Sequence, residues 1–412
     1  MSTNRATSQP RVLISGGGIG GNAVALQLLR AGIRATVAER TAAPRPGGQA
    51  VDLRGPSVEV AERMGLMPGI RKRQLDERGM KFVDAAGRDV VRMPAEMFDG
   101  KGHIADIEIT RGDLNQVLLD VLAAEGGVDY RYGEWITALE QDDTGVDVTF
   151  ASGSTERFDI VIGADGLHSA TRRLAFGPEE QFATYLGGYM SFFTVPTPED
   201  LEPHWFTMHS VVGATNIGLR PDADPTTAKA LVTIRTEADP ALRRDVAAQQ
   251  ALIRQRLADA GWEAGRILDA MNESADFYFD ELARIDMPTW VHGRVALLGD
   301  AGYCGSPLGG QGTSMALIGA YVLAGEIAAH AADPERALPR YEEVLRPFVA
   351  KAQELPPGGL KAMTPKSAFG IRAGQTLSKL MTAKVMKPLM MKMMTKTESY
   401  DLPDYSAQTT AN

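Results

Sequence analysis

Short apolar runs that end in glycine recur along this chain, and the hydrophobic period changes after each one. Residues 11–15 form a continuous apolar run, as in a buried parallel strand, and lead into Gly16-Gly-Gly-Ile-Gly-Gly21. Residues 22–31 place Ala25, Leu28 and Leu29 on one helical face, Gly32 stands where a helix-terminating glycine belongs, and residues 35–38 predict a second strand. Residues 57–66 and 112–124 carry helical periodicity. Val146, Val148 and Phe150 alternate, and the small residues 151–154 after them predict a hairpin. Residues 159–162 are again a buried-strand run, ending in Gly163-Ala-Asp-Gly166.

From about residue 181 the texture changes. Residues 185–195 and 231–236 are rich in aromatic and β-branched side chains and predict strands, with a Pro/Asp turn at 221–225 between them. Residues 295–298 return to the buried-strand pattern, followed by Gly299-Asp300 and a helix predicted over 313–330. No internal repeat is present. The pattern predicts an α/β protein with a Rossmann-type dinucleotide-binding domain in two pieces, 1–180 and 286–350. An inserted antiparallel-sheet substrate domain occupies 181–285, and C-terminal helices occupy 351–412. Residues 379–396 mix methionine with lysine around Pro388, which predicts a broken helix laying a flexible face on the body. A basic amphipathic segment that visits a membrane surface or a ligand entrance is the second reading of that stretch.

Composition narrows the partners. A formal net charge of −9 argues against a nucleic-acid footprint. One cysteine, Cys304, excludes an internal disulfide and a multi-cysteine zinc site, so no metal is expected and a reducing cytoplasm is. Residues 1–10 are polar without the apolar centre of a signal peptide, and no run reaches the roughly 18 apolar residues of a membrane span.

Three motifs carry chemistry. In Gly16-x-Gly18-Ile19-Gly20-Gly21 the backbone N–H groups at a helix start would meet a pyrophosphate, and side chains there would block it. Glu39, with Arg40 beside it, sits about 20 residues on, at the end of the second strand, where an acid binds a ribose hydroxyl. This motif does not separate FAD from NAD. The second motif is Asp159-Ile-Val-Ile-Gly-Ala-Asp165-Gly-Leu-His-Ser-Ala-Thr-Arg172. The third runs from Arg294 through Gly299-Asp300-Ala301 to Gly305-Ser-Pro307-Leu-Gly-Gly310-Gln-Gly312. A strand ending in Gly-Asp presents a carboxylate at the ligand edge of a parallel sheet, and the glycines after it admit a flat ring or a phosphate at a helix start.

In this order and spacing the motifs resemble the flavoprotein hydroxylases, the family of para-hydroxybenzoate hydroxylase, aromatic polyketide hydroxylases and tetracycline-inactivating monooxygenases. The resemblance covers about residues 10–350, and Pro46-Gly-Gly-Gln-Ala-Val-Asp-Leu-Arg54 is nearest in feel to the tetracycline-inactivating branch. It implies FAD as cofactor, NADPH or NADH as reductant and O2 as co-substrate, with oxygen delivered through a flavin C4a-hydroperoxide to a planar, apolar, aromatic or polyketide-like molecule. It implies that Glu39 binds the adenosine ribose, that Arg45 lies on the nicotinamide path and favours NADPH, and that Asp52 and Arg111 contact the flavin. It further implies that Asp165 and Arg172 serve both nucleotides, that Asp300 binds the ribitol, and that Pro307 and Gly310 flank the isoalloxazine. Two departures stand out: Ala301-Gly-Tyr-Cys304 replaces Ala-His, and Ser314 replaces an asparagine.

Arg54 is the one catalytic candidate, as a group that could steer a phenolate or enolate, and Phe193 and Phe206 are the candidate substrate wall. Cys304 reads as an inert small residue, since no base is visible beside it, and His168 and His292 as structural or solvated. Two other functions share these motifs: a dehydrogenase or prenyl-chain reductase, which would consume no O2, and a non-catalytic flavin or small-molecule binder. A flavin halogenase lacks support, because the Trp-x-Trp-x-Ile-Pro signature is absent. Monomer and dimer both remain open.

Overall fold

The computed structural model describes residues 9–45, 47–95, 107–331, 333–381 and 400–406. A six-stranded sheet forms the first layer. Its order is Val291–His292, Val295–Leu297, Ile160–Gly163, Val12–Ser15, Ala35–Glu39 and Asp129–Tyr132, parallel except for the first edge strand. Val12–Ser15 and Ile160–Gly163 are buried throughout, as their unbroken apolar runs require. Helices Ile19–Arg30, Arg111–Ala124 and Gly312–Ala329 pack together with this sheet. Gly312–Ala329 has the length and mean hydropathy, 1.3, of a membrane-crossing helix, but 72% of it is buried inside the fold, where it serves as a core helix. The hairpin predicted around 151–154 joins Gly145–Phe150 to Thr155–Phe158, and Ile136–Asp142 completes a three-stranded sheet.

The second large sheet has seven strands. Tyr278–Ile285, Ala183–Pro196, Thr227–Arg235, Thr215–Pro221, Trp205–Val211, Gly79–Val83 and Asp89–Pro94 lie side by side in that order. Two of these strands come from within 1–180, so the second sheet is not confined to the 181–285 insertion predicted for it. Helices Val246–Leu257 and Ala264–Met271 cover one face, on a core that includes Phe193, Ile217, Val232, Ile253 and Met271. The other face turns toward the cofactor motifs. A separate two-stranded antiparallel sheet, Ala50–Leu53 with Ile107–Thr110, borders it.

The chain returns over that face at its C-terminal end. Leu360, in the helix Gly359–Met363, packs with Met190, Leu282 and Leu308, and Asn216 Nδ2 donates to the Met363 carbonyl at 2.8 Å. The helix Ala368–Met381 follows and leaves Phe369, Leu377 and Leu380 exposed. Most of the methionine–lysine stretch, 382–399, lies outside the described residues.

Candidate active site

The first motif forms an open cradle. Gly16 has φ +104, and a Cβ there would lie 2.5 Å from the Ala164 carbonyl oxygen, while a Cβ on Gly21 would lie 1.9 Å from the Gly16 oxygen. The turn closes that tightly only with glycine at both positions. At Gly18, by contrast, a Cβ would meet nothing within 4 Å, so this is the side left for a ligand. The helix Ile19–Arg30 begins there with no side-chain cap and no acid in its first turn. An uncapped helix start of this kind suits a pyrophosphate, and the cradle fits a dinucleotide. Ile19 and Gly20 belong to the packed side of the turn: Ile19 is buried, and Gly20 faces Leu298 and Ala316.

Glu39 lies beside this cradle. Its carboxylate accepts the Gly17 N–H at 2.8 Å and both the N–H and hydroxyl of Thr41, at 2.8 and 2.9 Å. Arg40 and Arg45 are exposed. Arg111 opens the helix Arg111–Ala124, and its N–H donates to the Gln49 carbonyl while that of Gly112 donates to Gly47, so the 47–49 loop is docked on this helix start. Asp52 and Arg54 form an ion pair with each other at the end of the adjoining two-stranded sheet.

In the second motif, Asp165 accepts from the Ser169 hydroxyl and from the N–H and hydroxyl of Thr171, at 2.5, 2.9 and 3.0 Å, and so shapes the turn into the next helix. Arg172 corrects the expectation of a nucleotide contact. Its side chain is fully buried, and the guanidinium donates to the carbonyls of Ala301 at 2.9 Å and Leu167 at 2.6 Å and to Glu179 at 2.8 Å. It ties the second motif to the third from beneath, and burial lowers its pKa. His168 sits between Asp280 and Glu179, each 3.0 Å away, and these two hydrogen bonds raise its pKa to about 10 against the opposing effect of burial. It links the first sheet's motif to the second sheet, which is a more specific role than a solvated surface histidine.

In the third motif, Gly299 takes φ 63, and Asp300 opens a short helix half-buried. Ser306 is held at φ 72, a strained value for a residue with a Cβ, and its hydroxyl accepts from Leu308 N–H. Pro307–Gly309 forms a single turn, and Gly310, at φ 64, again has nothing within 4 Å of a Cβ position, while one on Gly312 would lie 3.9 Å from Asp300 Oδ1. Ser314 has a definite role. Its hydroxyl donates to Ser57 Oγ at 3.0 Å, and Ser57 in turn donates to the Arg54 carbonyl at 2.8 Å, so the loop bearing Arg54 is tied to the helix Gly312–Ala329. Cys304 is buried and its thiol pKa is pushed well up by burial, consistent with an inert side chain.

The face of the second sheet that turns toward the cofactor motifs is read from its register. Phe192, Leu231, Gly218, Met208 and Phe82 pair in turn across five strands and make an apolar row, with Tyr278 next to Phe192 at one end. Leu231 packs with Met190 and with Leu308 of the third-motif loop, so this face and the cofactor loop share one apolar cluster. Phe206 lies on this face, with its ring 5.3 Å below the Arg220 guanidinium. Phe193 does not: it pairs with Ala230 and is buried against the helices on the opposite face, and Phe192 takes the place foreseen for it. The one-residue step to the other face follows from the two-residue period of a strand.

Beside the apolar row runs a charged one that no motif announced. Lys229 and Arg220 are directly paired across neighbouring strands. Arg220 is held by Glu77 at 2.7 Å and Glu108 at 2.5 Å, and Lys229 by Asp276 at 3.1 Å and Asp222 at 3.3 Å. Burial raises the Glu77 pKa in spite of Arg220, whereas Thr194, Ser274 and Lys229 outweigh burial at Asp276 and lower it to about 2.

Comparison with known proteins agrees with this geometry. Residues 9–355 match the family described as FAD binding domain. A flavin-dependent monooxygenase of Legionella longbeachae is 38% identical over 345 residues, 84% of this chain and 87% of that protein. An uncharacterized protein of Mycobacterium tuberculosis is 42% identical over 366 residues, 87% of this chain and 96% of that one. Among solved structures, the tetracycline destructase Tet(55) is similar with a TM-score of 0.80 and 34% identity, covering 97% of this chain and 99% of that one.

Proposed function

The chain belongs to the FAD binding domain family and is an FAD-dependent monooxygenase, and from that premise we propose that it uses NAD(P)H and O2 to oxygenate a planar, apolar, aromatic or polyketide-like molecule. The observation that carries this is the apolar row Phe192–Leu231–Gly218–Met208, which shares a cluster with Leu308 of the third-motif loop. A flat substrate laid on that row lies beside the loop that would hold the flavin, away from bulk water. When bound, FAD supplies the redox chemistry: hydride uptake from the nicotinamide and activation of oxygen.

What remains for the protein is holding, orienting and drying. The N–H groups at Gly18–Gly21 and the carboxylates of Glu39 and Asp300 would hold the pyrophosphate, ribose and ribitol. Gly310 and Gly312 would let backbone approach the ring, with Arg111 and the docked 47–49 loop on its far side. Arg54, fixed by Asp52 and by the Ser57–Ser314 tie, would steer an oxygen anion of the substrate. The name of the Tet(55) relative supports tetracycline-like polycycles among the candidates.

The test is a panel of phenols and planar polyketides added to FAD-loaded protein. Substrate-stimulated NADPH oxidation and entry of labelled oxygen into the product are expected for at least one member. Tight FAD binding with no stimulation by any of them would turn the assignment toward the reductase or binder alternatives.

A further inference from the structure

We infer that the charged row makes this face of the sheet selective by charge: it admits aromatic substrates whose edge is neutral or cationic and rejects aromatic carboxylates. The inference rests on the proposed function, because it takes the face of the second sheet that turns toward the cofactor motifs as the substrate floor.

Lys229 and Arg220 are direct cross-strand neighbours, and two like charges so placed repel unless they are compensated. Here they are over-compensated. Each cation carries two carboxyl groups, so four carboxyl groups face two cations, an excess of negative charge even though burial raises the pKa of Glu77. Neither cation is left to bind an anion from the substrate. Asp52 and Arg54 next to the row neutralise each other and do not alter the balance.

One acceptor in the row is also left unsatisfied. Glu77 is 1% exposed at its side chain, and its Oε1 is buried with no hydrogen-bond partner among the described residues. A buried acceptor without a donor is costly, so this end of the row has acceptors in surplus. The next row on the same face lies two residues along each strand, roughly 7 Å away. A substrate lying on Phe192, Leu231, Gly218 and Met208 therefore has one edge beside Lys229 and Arg220 and the carboxyl groups that hold them. At that range in a partly desolvated site, a carboxylate on that edge would bind on the order of 100-fold more weakly than its neutral isostere.

The probes are three naphthols that differ in one substituent: 6-hydroxy-2-naphthoic acid, its carboxamide, and 6-(aminomethyl)-2-naphthol. Binding to the FAD-loaded protein is measured by titration calorimetry, and turnover by stimulated NADPH oxidation. The carboxamide and the amine should bind, and the acid should be weaker by about 100-fold. Asp222→Asn and Asp276→Asn each remove one negative charge at nearly constant volume, and each should narrow the gap by roughly 10-fold. The variants are compared only where flavin content and melting midpoint match the parent. Equal binding of acid and carboxamide by the parent protein overturns the inference without any variant. So does a gap that stays unchanged in folded variants. If none of the three naphthols binds, and no member of the wider aromatic panel stimulates NADPH oxidation, the underlying substrate assignment fails and takes this inference with it.

Discussion

The two halves of the site are built on opposite plans. On the cofactor side, backbone does the work: N–H groups at a helix start, glycines that leave room, and short runs of consecutive residues that form the turn. On the side proposed for the substrate, side chains do the work, and the ones that matter come from separate places along the chain. Glu77, Glu108, Arg220, Lys229 and Asp276 meet only because five segments converge on one place, at the paired ends of two central strands. The first plan tolerates no added atoms, and the second tolerates no lost charge.

The sharpest way to break this contrast is at Gly21. Gly21→Ala puts a Cβ 1.9 Å from a backbone oxygen, so the turn must open. Stability should fall by more than about 3 kcal/mol in urea unfolding, and the purified variant should carry no flavin. A variant that kept full, tight flavin would remove the clearance argument.

On the other side, Arg220→Met keeps the volume and strands Glu77 and Glu108 in the interior. Removing one partner of a buried ion pair costs about 3–5 kcal/mol. The penalty should shrink at pH 5 relative to pH 8, since Glu77, whose pKa burial already raises, then takes up a proton, and equal losses at the two pH values would argue that packing alone is at stake.

A smaller effect separates support from charge. Ser314→Ala deletes one buried hydroxyl bond to Ser57, so about 1 kcal/mol should be lost, with FAD retained. The smallest effect comes from the link between the halves. His168 keeps its proton to about pH 10 when folded, against an ordinary value near 6.5 when unfolded. Its contribution is therefore complete below about pH 6.5 and is lost as pH rises toward 10. Its side chain is 43% exposed, so solvent screening keeps the effect under about 1 kcal/mol. His168→Gln should flatten the decline of the urea midpoint between pH 7 and 10, and an unchanged slope would remove His168 from the linkage.

The same contrast decides what a sequence discloses. The glycine turn and the strand-end positions of Glu39 and Asp300 are legible because geometry forces such turns at fixed spacings, and strand Val12–Ser15 because a strand buried on both faces is apolar throughout. Trp205–Val211 and Thr215–Pro221 passed unread, since they carry polar residues on both faces: Thr207 and His209 toward the helices, Asn216 and Arg220 toward the site. Phe193 was misplaced by one residue because a strand with aromatics at 192 and 193 gives no sign of which face is which. Arg172 carried the family signature and still proved to be interior, for a motif fixes residue type and not the direction a side chain takes.

The strands Gly79–Val83 and Asp89–Pro94 have a practical corollary for anyone who would exchange substrate specificities between relatives. Excising 181–285 as a cassette would leave two staves of its sheet behind, and unless the recipient's own strands match it Trp205–Val211 becomes a raw border, open to aggregation. A workable chimera has to carry 79–94 along with the insertion, cut at four junctions instead of two, so that graft and host are matched on both sides of every crossing.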